Sequence, residues 1–157
     1  MQFTIEGKPQ SKLRARTFYN TRMGKMQSVT PEKTKDYESL VRWSYAAAGG
    51  EYMGEKVLEC TINAFYPMPK AFSKAKRKAA ILGQIRPQTK PDLDNCIKII
   101  FDALNGVCFY DDKQVVEIHA YKWYGERPRV EVTINEVRNE EEQKKGQRNM
   151  QGLQKRR

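Results

Sequence analysis

Alternating polar and apolar positions along the chain predict four main β-strands. Residues 2–6, QFTIE, alternate in this way. Residues 56–67 also alternate, and one face of this strand holds the side chains of Leu58, Cys60, Ile62 and Ala64. Residues 114–125 and 129–137 have the same pattern, and only residues 126–128 separate them. This short connection predicts that the last two strands pair with each other as a closing hairpin.

A period near 3.6 residues predicts three helices between the strands. The first covers residues 31–48, with Thr30 as its N-cap. The second covers residues 71–83, and the third covers residues 93–105. Residues 10–28 are basic and rich in turn formers, which predicts an exposed hairpin before the first helix.

These elements predict one small domain, in which strands combine with two to three helices, over residues 1–137. A chain of 157 residues is long enough for one hydrophobic core. Residues 138–157 have almost no large apolar side chains. Since such a segment buries too little area to offset its ordering entropy, we expect a basic tail that is disordered or loosely helical.

The charge of the chain indicates a polyanionic partner. Lysine and arginine number 29 against 19 acidic residues, which gives a formal net charge of +10. Nucleic acid is the first partner class for such an excess and an anionic membrane the second, although a merely solvated basic surface remains an alternative. The residues expected to contact DNA lie in the basic hairpin, at the start of the second helix and before the third: Lys12, Arg14, Arg16, Lys74, Lys76, Arg77 and Lys90.

Several other classes of protein are disfavoured. No apolar run approaches the roughly 18 residues of a membrane span, and the N-terminus lacks the apolar region of a secretory signal. Cys60, Cys96 and Cys108 lie far apart in apolar stretches, which indicates buried free thiols in a reducing compartment. His119 is the only histidine, and we interpret it as an ordinary strand residue. We therefore expect a cytoplasmic protein without a membrane partner or a small-molecule cofactor.

Carboxylates gather within residues 90–106, KPDLDNCIKIIFDALNG, although the chain as a whole is basic. On a helix with 100° per residue, one arc of about 100° holds the polar side chains Asp94, Asn95, Lys98 and Asp102. The opposite face holds the apolar side chains Ile97, Ile100, Phe101 and Leu104. Asp92 precedes this amphipathic helix, and Asp111 and Asp112 follow it in the segment YDDKQVV.

Each of these carboxylates has an ordinary structural interpretation. Asp92 or Asp94 can cap the helix, Lys98 can form i,i+4 ion pairs, and Asp111-Asp112 suits a turn. Grouped carboxylates nevertheless repel one another unless a cation or a proton compensates. A hard cation such as Mg²⁺, shared with a substrate phosphate, is a common form of compensation. The residue types and their spacing leave the structural and the metal-binding interpretations open.

The composite pattern resembles the signature of the RusA-type Holliday junction resolvases, metal-dependent endodeoxyribonucleases of bacteria and phages. That signature is Asp-x-Asp-Asn, a lysine four residues after the second aspartate, Asp-Ala-Leu on the same helix, and then Asp-Asp-x-Gln-Val. All of these elements occur here in order, between about residues 88 and 118. The basic hairpin and the segment PKAFSKAKRKA resemble the shorter, phage-type members.

The resemblance implies roles for individual residues. Asp92, Asp94 and Asp112 match the catalytic carboxylates that bind Mg²⁺, for which Mn²⁺ can substitute, and Lys98 matches the catalytic lysine. The residues given supporting roles are Asp111, Asp102 and Asn95. The implied fold is a small α+β domain with a mixed β-sheet. The implied protein is a homodimer that binds four-way DNA junctions and resolves them by paired symmetric nicks in recombination and repair, in a bacterial or phage-infected cell.

A dimer also follows from counting sites, because one chain carries one motif and two symmetric nicks need two sites. Candidate interface residues, which can alternatively fill the monomer core, are Trp43, Tyr45, Tyr121 and Trp123. Rival functions remain: a non-catalytic junction- or DNA-binding protein, a nuclease for flaps or other branched DNA, or a basic interaction protein whose acidic cluster is purely structural.

Overall fold

The computed structural model describes residues 1–137. The predicted tail, residues 138–157, lies outside the described residues. In chain order the elements are β1 (Gln2–Glu6), β2 (Arg16–Asn20), β3 (Lys25–Val29), α1 (Glu32–Ala47), β4 (Leu58–Pro67), α2 (Lys74–Ile81), α3 (Leu93–Leu104), a 3₁₀ turn (Asp112–Gln114), β5 (Val115–Gly125) and β6 (Arg129–Glu136). This architecture confirms the predicted α+β class.

Strand β4 organises a four-stranded mixed sheet with the order β1-β6-β4-β5. It pairs with β5 in parallel and with β6 in antiparallel fashion. Its inward side chains, which are all fully buried, are the predicted face of Leu58, Cys60, Ile62 and Ala64. Strands β2 and β3 form the predicted basic hairpin as a separate two-stranded sheet.

The predicted closing hairpin of β5 and β6 is wrong. These strands are not neighbours, because β4 lies between them and pairs its Phe65 with Trp123 on one side and with Arg129 on the other. A central buried strand needs hydrogen-bond partners at both edges, and β5 and β6 supply them. Residues 126–128 span two strand spacings, about 10 Å, which three residues cover as easily as they form a hairpin loop.

Two helices begin later than the sequence predicts. Pro31, and not Thr30, is the N-cap of α1, because its ψ of 142° is extended while its carbonyl accepts the amide of Thr34 at 3.0 Å. In α2, the hydroxyl of Ser73 accepts the amide of Lys76 at 3.3 Å. Because Ser73 caps the helix, the three residues before Lys74 are not helical.

Helices α1 and α3 contribute to the same core as the inner face of the sheet. Tyr45 belongs to this core and packs edge-on against Phe3 at 5.3 Å, so its predicted place at a dimer interface is wrong. Trp43 is 69% exposed and does not fill the core.

The three cysteines are buried and free, as predicted. None of the helices in residues 1–137 is long and apolar enough to cross a bilayer.

The one-sided burial of β4 gives a direct test of the sheet. Ile62→Ala should lower the free energy of unfolding by about 2–5 kcal/mol, because it opens a cavity in the core. Thr61→Ala, the matched change at the next residue on the opposite face, should cost less than about 1 kcal/mol. Urea denaturation of both variants measures the difference, and equal losses would contradict a sheet that is buried on one face.

Candidate active site

Two side chains from the sheet fix the chain just before α3. The hydroxyl of Tyr66 donates to the carbonyl of Pro91 at 2.7 Å. The ammonium group of Lys122 donates to the same carbonyl at 3.1 Å and to that of Thr89 at 2.6 Å. Burial raises the pKa of the Tyr66 hydroxyl well above its usual range, so this group remains a hydrogen-bond donor. These contacts determine where Asp92, the next residue, is placed.

The carboxylates of Asp92 and Asp94 are exposed at the first turn of α3. Asp92 occupies the N-cap position, but its side chain makes no capping hydrogen bond. Asp94 lies 3.8 Å from the ammonium of Lys98, and both of these side chains are largely exposed. The capping role that the sequence left open for Asp92 is therefore not used. Both carboxylates keep lone pairs available to a ligand.

Residues 11–14 cross over α3 beside these carboxylates. The amide of Lys12 donates to the carbonyl of Asn95 at 3.4 Å, and its ammonium forms an ion pair with Asp102. The amide of Leu13 donates to the hydroxyl of Thr34 on α1 at 3.3 Å. The segment is thus held against two helices at once.

Two adjacent grooves share this crossing segment as a wall. One groove, of about 300 Å³, is lined by Lys90 and Asp92, and the other, of about 330 Å³, by Asp94 and Lys98. Both are also lined by Lys12, Leu13, Arg14 and Asn95. The structure therefore brings together one end of the acidic motif and three of the predicted DNA-binding residues, so that each exposed carboxylate lies beside basic side chains.

The remaining predicted DNA-binding residues lie elsewhere. Arg16 begins β2 of the hairpin, and Lys74 and Lys76 are exposed on the first turn of α2. The guanidinium of Arg77 donates to the backbone carbonyls of Phe72 at 3.3 Å and of Pro69 at 3.5 Å, so part of its hydrogen-bonding capacity serves the local structure. Helix α2 packs against β5, the strand whose Lys122 holds Pro91.

Asp111 and Asp112 differ sharply in their surroundings. Asp111 caps the 3₁₀ turn: its carboxylate accepts the amide of Lys113 at 3.0 Å, while the side chain of Gln114 accepts the amide of Asp111 at 2.9 Å. Gln114 also donates to the carbonyls of Gly54 and Lys56, both at 2.8 Å. Asp111 is therefore structural, and it orders the turn on which the exposed Asp112 lies.

One chain does not bring Asp112 to the other two carboxylates. Asp92 precedes α3 and Asp112 follows it, and twelve helical residues span about 18 Å. Strand β5 gives the same result, because seven residues, or about 23 Å, separate Val115 from Lys122, which holds the chain before Asp92. Within residues 1–137, no three His, Cys, Asp or Glu side chains are grouped to hold a metal ion. Asp92 and Asp94 can supply carboxylate oxygens to a hard cation, but Asp112 of the same chain does not join them.

Paired exposed carboxylates beside basic grooves, on a small α+β domain, define a protein that is suited to bind a phosphodiester and a hard cation together. The sequence profile of the family endodeoxyribonuclease RusA matches residues 6–135. The chain belongs to this family of endodeoxyribonucleases, which confirms the resemblance seen in its acidic motif. It is also similar to the uncharacterized protein YqaN of Bacillus subtilis (strain 168), with 37% identity over 143 residues that cover 87% of this chain and 96% of the relative.

Sequence reasoning missed Tyr66 and Lys122, which position the site. A signal for Lys122 exists, because it continues the inward face of β5 after Ile118 and Ala120 and lies opposite the buried Ala64. A lysine at an inward strand position needs a hydrogen-bond acceptor. Its acceptors are two backbone carbonyls, 33 and 31 residues away in sequence, which the residue pattern alone cannot identify.

Because Lys98 and Asp94 form an exposed pair, replacing Lys98 can distinguish a structural role from a catalytic role for this residue. Lys98→Ala should change the free energy of unfolding by less than about 0.5 kcal/mol, since an exposed i,i+4 pair contributes little. DNA cleavage should slow about 100-fold, because a positioned cation stabilises charge that develops on the phosphate. Thermal denaturation and single-turnover cleavage measure the two effects.

Lys56→Ala is the matched control, since it removes another exposed lysine whose ion pair, with Glu136, is 2.7 Å long. It should leave the cleavage rate near that of the unmodified protein. Loss of stability without loss of rate in Lys98→Ala would contradict the catalytic assignment.

Proposed function

We propose that this protein is a Mg²⁺-dependent, structure-selective endodeoxyribonuclease that resolves Holliday junctions by paired symmetric nicks, in DNA recombination and repair in the cytoplasm. The observation that carries the proposal is the pair of exposed carboxylates at the start of α3: Asp92 and Asp94 line two adjacent grooves whose other walls are basic. Membership of the RusA family supports the same chemistry.

The residues of this site have complementary roles in the proposal. Asp92 and Asp94 hold Mg²⁺, or Mn²⁺ in its place, through their free oxygen atoms. When bound, the metal ion neutralises charge on the phosphate and lowers the pKa of a water molecule. Lys98 contacts a phosphate oxygen beside Asp94, while Arg14 and Lys90 bind neighbouring phosphates from the groove walls. The family pattern makes Asp112 the third carboxylate.

A two-fold dimer accounts for the distance of Asp112 from the other ligands. Strand β5 is an edge of the sheet, and two of its large apolar side chains are exposed, Val116 by 58% and Ile118 by 45%. Such an edge favours pairing with a second strand. If two β5 strands pair in antiparallel fashion, the Asp112 end of one lies beside the Lys122 end of the other. We therefore infer that Asp112 of each subunit completes the site of its partner.

This arrangement also links assembly to the paired nicks. An isologous dimer has two equivalent sites, each built from Asp92 and Asp94 of one chain and Asp112 of the other. Of the aromatic residues predicted at the interface, Tyr121 lies on β5 and is 41% exposed, which suits this contact. Trp123 is partly covered by Arg86, which lies 3.2 Å from its ring centre, and its indole donates to Asn63 at 2.9 Å. Trp43 lies on α1, which packs against α3 and β1.

The proposed activity is tested with a labelled four-way junction and a linear duplex of the same length, with and without Mg²⁺. Cleavage should require Mg²⁺ and the junction. Asp92→Asn, Asp94→Asn and Asp112→Asn should each abolish cutting, because each removes a ligand charge. All three should retain junction binding in gel-shift assays, since loss of a negative charge does not weaken a complex with a polyanion.

Three other outcomes separate the rival functions. Junction binding without cutting in Mg²⁺ or Mn²⁺ would indicate a non-catalytic DNA-binding protein. Equal or faster cutting of flaps would indicate a nuclease for other branched DNA. Near-normal cutting by all three asparagine variants would contradict the carboxylate site and favour a structural role for the acidic cluster.

Mixing two inactive variants tests whether the site is shared between subunits. A dimer of one Asp92→Asn chain and one Asp112→Asn chain has one site with both changes and one intact site. The mixture should therefore regain cutting, and on a supercoiled cruciform plasmid the heterodimer should yield nicked circles.

Mixing Asp92→Asn with Asp94→Asn is the matched control, because both changes affect the same half of the site. Every site in that mixture lacks a ligand, so it should stay inactive. Failure of the first mixture to regain activity, after subunit exchange has been verified by mass, would contradict the shared site and leave the carboxylate assignment intact.

A further inference from the structure

The hairpin of β2 and β3 is an ordered element with no assigned role beyond its charge. It forms its own two-stranded sheet, and its register pairs Tyr19 with Met26 and Phe18 with Gln27. The side chain of Asn20 organises the tip, because its Oδ1 atom accepts the amides of Arg22 and Met23 at 3.0 and 3.2 Å. Its amide nitrogen also donates to the side chain of Gln27 at 2.7 Å.

One face of this hairpin presents an exposed aromatic and thioether pair. Tyr19 is 58% exposed and Met26, directly opposite, is 62% exposed. Side chains alternate across a ribbon, so Phe18 lies on the other face. Two large apolar side chains side by side on a solvent-exposed ribbon indicate a surface that contacts a partner.

Charge decides what kind of partner suits this face. Residues 7–31 contain no acidic residue, and their six basic residues are Lys8, Lys12, Arg14, Arg16, Arg22 and Lys25. A second copy of the hairpin would be repelled, and so would another basic surface. A polyanion with flat apolar surfaces fits both properties, and DNA bases on a phosphate backbone have them.

The hairpin also emerges next to the carboxylates. Arg14 lines both grooves of the site and lies two residues before the start of β2. A five-residue strand extends about 17 Å, so the tip lies no farther from Arg16 than roughly the length of five stacked base pairs. A DNA arm held at the carboxylates is therefore long enough to reach Tyr19 and Met26.

We propose that the face formed by Tyr19 and Met26 stacks against an unstacked base at the branch point of the DNA, and that it selects branched over linear DNA. This inference rests on the proposed function. In a linear duplex the bases are stacked and paired. A base can therefore stack against this face only if the helix opens, which costs free energy. At a branch point this cost is smallest. Arg16, Arg22 and Lys25 bind the flanking phosphates and contribute to affinity for any DNA.

The test compares variants of the two hairpin faces without divalent ions, so that no cutting occurs. Tyr19→Ala combined with Met26→Ala should weaken binding to a four-way junction about tenfold, while binding to a linear duplex changes less than about twofold. Phe18→Ala is the matched control on the opposite face and should leave both affinities near those of the unmodified protein. Tyr19→Phe keeps the ring and should retain the preference for junctions.

A second measurement separates stacking from charge. With 2-aminopurine at the branch point, the unmodified protein should change its fluorescence, and the Tyr19 and Met26 double variant should not. Replacing Arg16, Arg22 and Lys25 together with alanine should weaken binding to both DNAs. It should also flatten the slope of log K against log salt by about 0.9 for each phosphate that the protein no longer neutralises, whereas the double variant should keep the original slope.

The outcomes also separate the stacking face from the proposed function. If the unmodified protein cuts junctions and the double variant binds them equally well, the stacking face is contradicted and the nuclease proposal stands. Equal losses on junction and duplex would show that the hairpin contacts only the DNA backbone. If the unmodified protein shows no preference for junctions, both proposals fail. Circular dichroism of each variant verifies that the domain is folded.

Discussion

The packing of the amphipathic helix α3 against the inner face of the sheet is the constraint on which the site depends. Its buried side chains, among them Ile99, Ile100 and Leu104, share one core with the inward residues of β4. Since a helix that buries one face turns the other outward, this packing fixes the direction of Asp94 and Lys98. Tyr66 and Lys122 then fix the chain before the helix, and with it Asp92.

The charges around α3 balance locally although the chain is strongly basic. Lys12 pairs with Asp102 and Lys98 lies near Asp94, while Asp92 makes no capping hydrogen bond. The Asp94–Lys98 pair is exposed and adds little to stability, whereas the half-buried Lys12–Asp102 pair holds residues 11–14 against α3. A phosphate and a cation satisfy the basic grooves and the carboxylates at the same time, which is the electrostatic basis of the proposed activity.

Two elements at the periphery of the structure, strand β5 and the hairpin of β2 and β3, are suited to bind partners. Among residues 1–137, no strand pairs with the outer edge of β5, where apolar side chains are exposed. The lengths of this strand and of α3 keep Asp112 apart from Asp92. The same two-fold pairing would cover the edge and complete the set of carboxylates. The hairpin of β2 and β3 is the other projecting element, and its basic and aromatic surface suits DNA. Neither surface is needed by the monomer core, so both are free to bind partners.

Local periodicity and charge determined the elements, the buried face of β4 and the polar stripe of α3, because these patterns depend only on neighbouring residues. The order of signature residues was also enough to indicate the family. Three features needed the tertiary structure: β4 between β5 and β6, Tyr45 in the core, and Asp112 far from Asp92. Each depends on contacts between residues distant in sequence. A three-residue link can join β5 and β6 whether they are neighbours or lie on either side of β4. The placement of β4 between them follows from two properties of β4: it needs hydrogen-bond partners at both edges, and its buried face packs in the core.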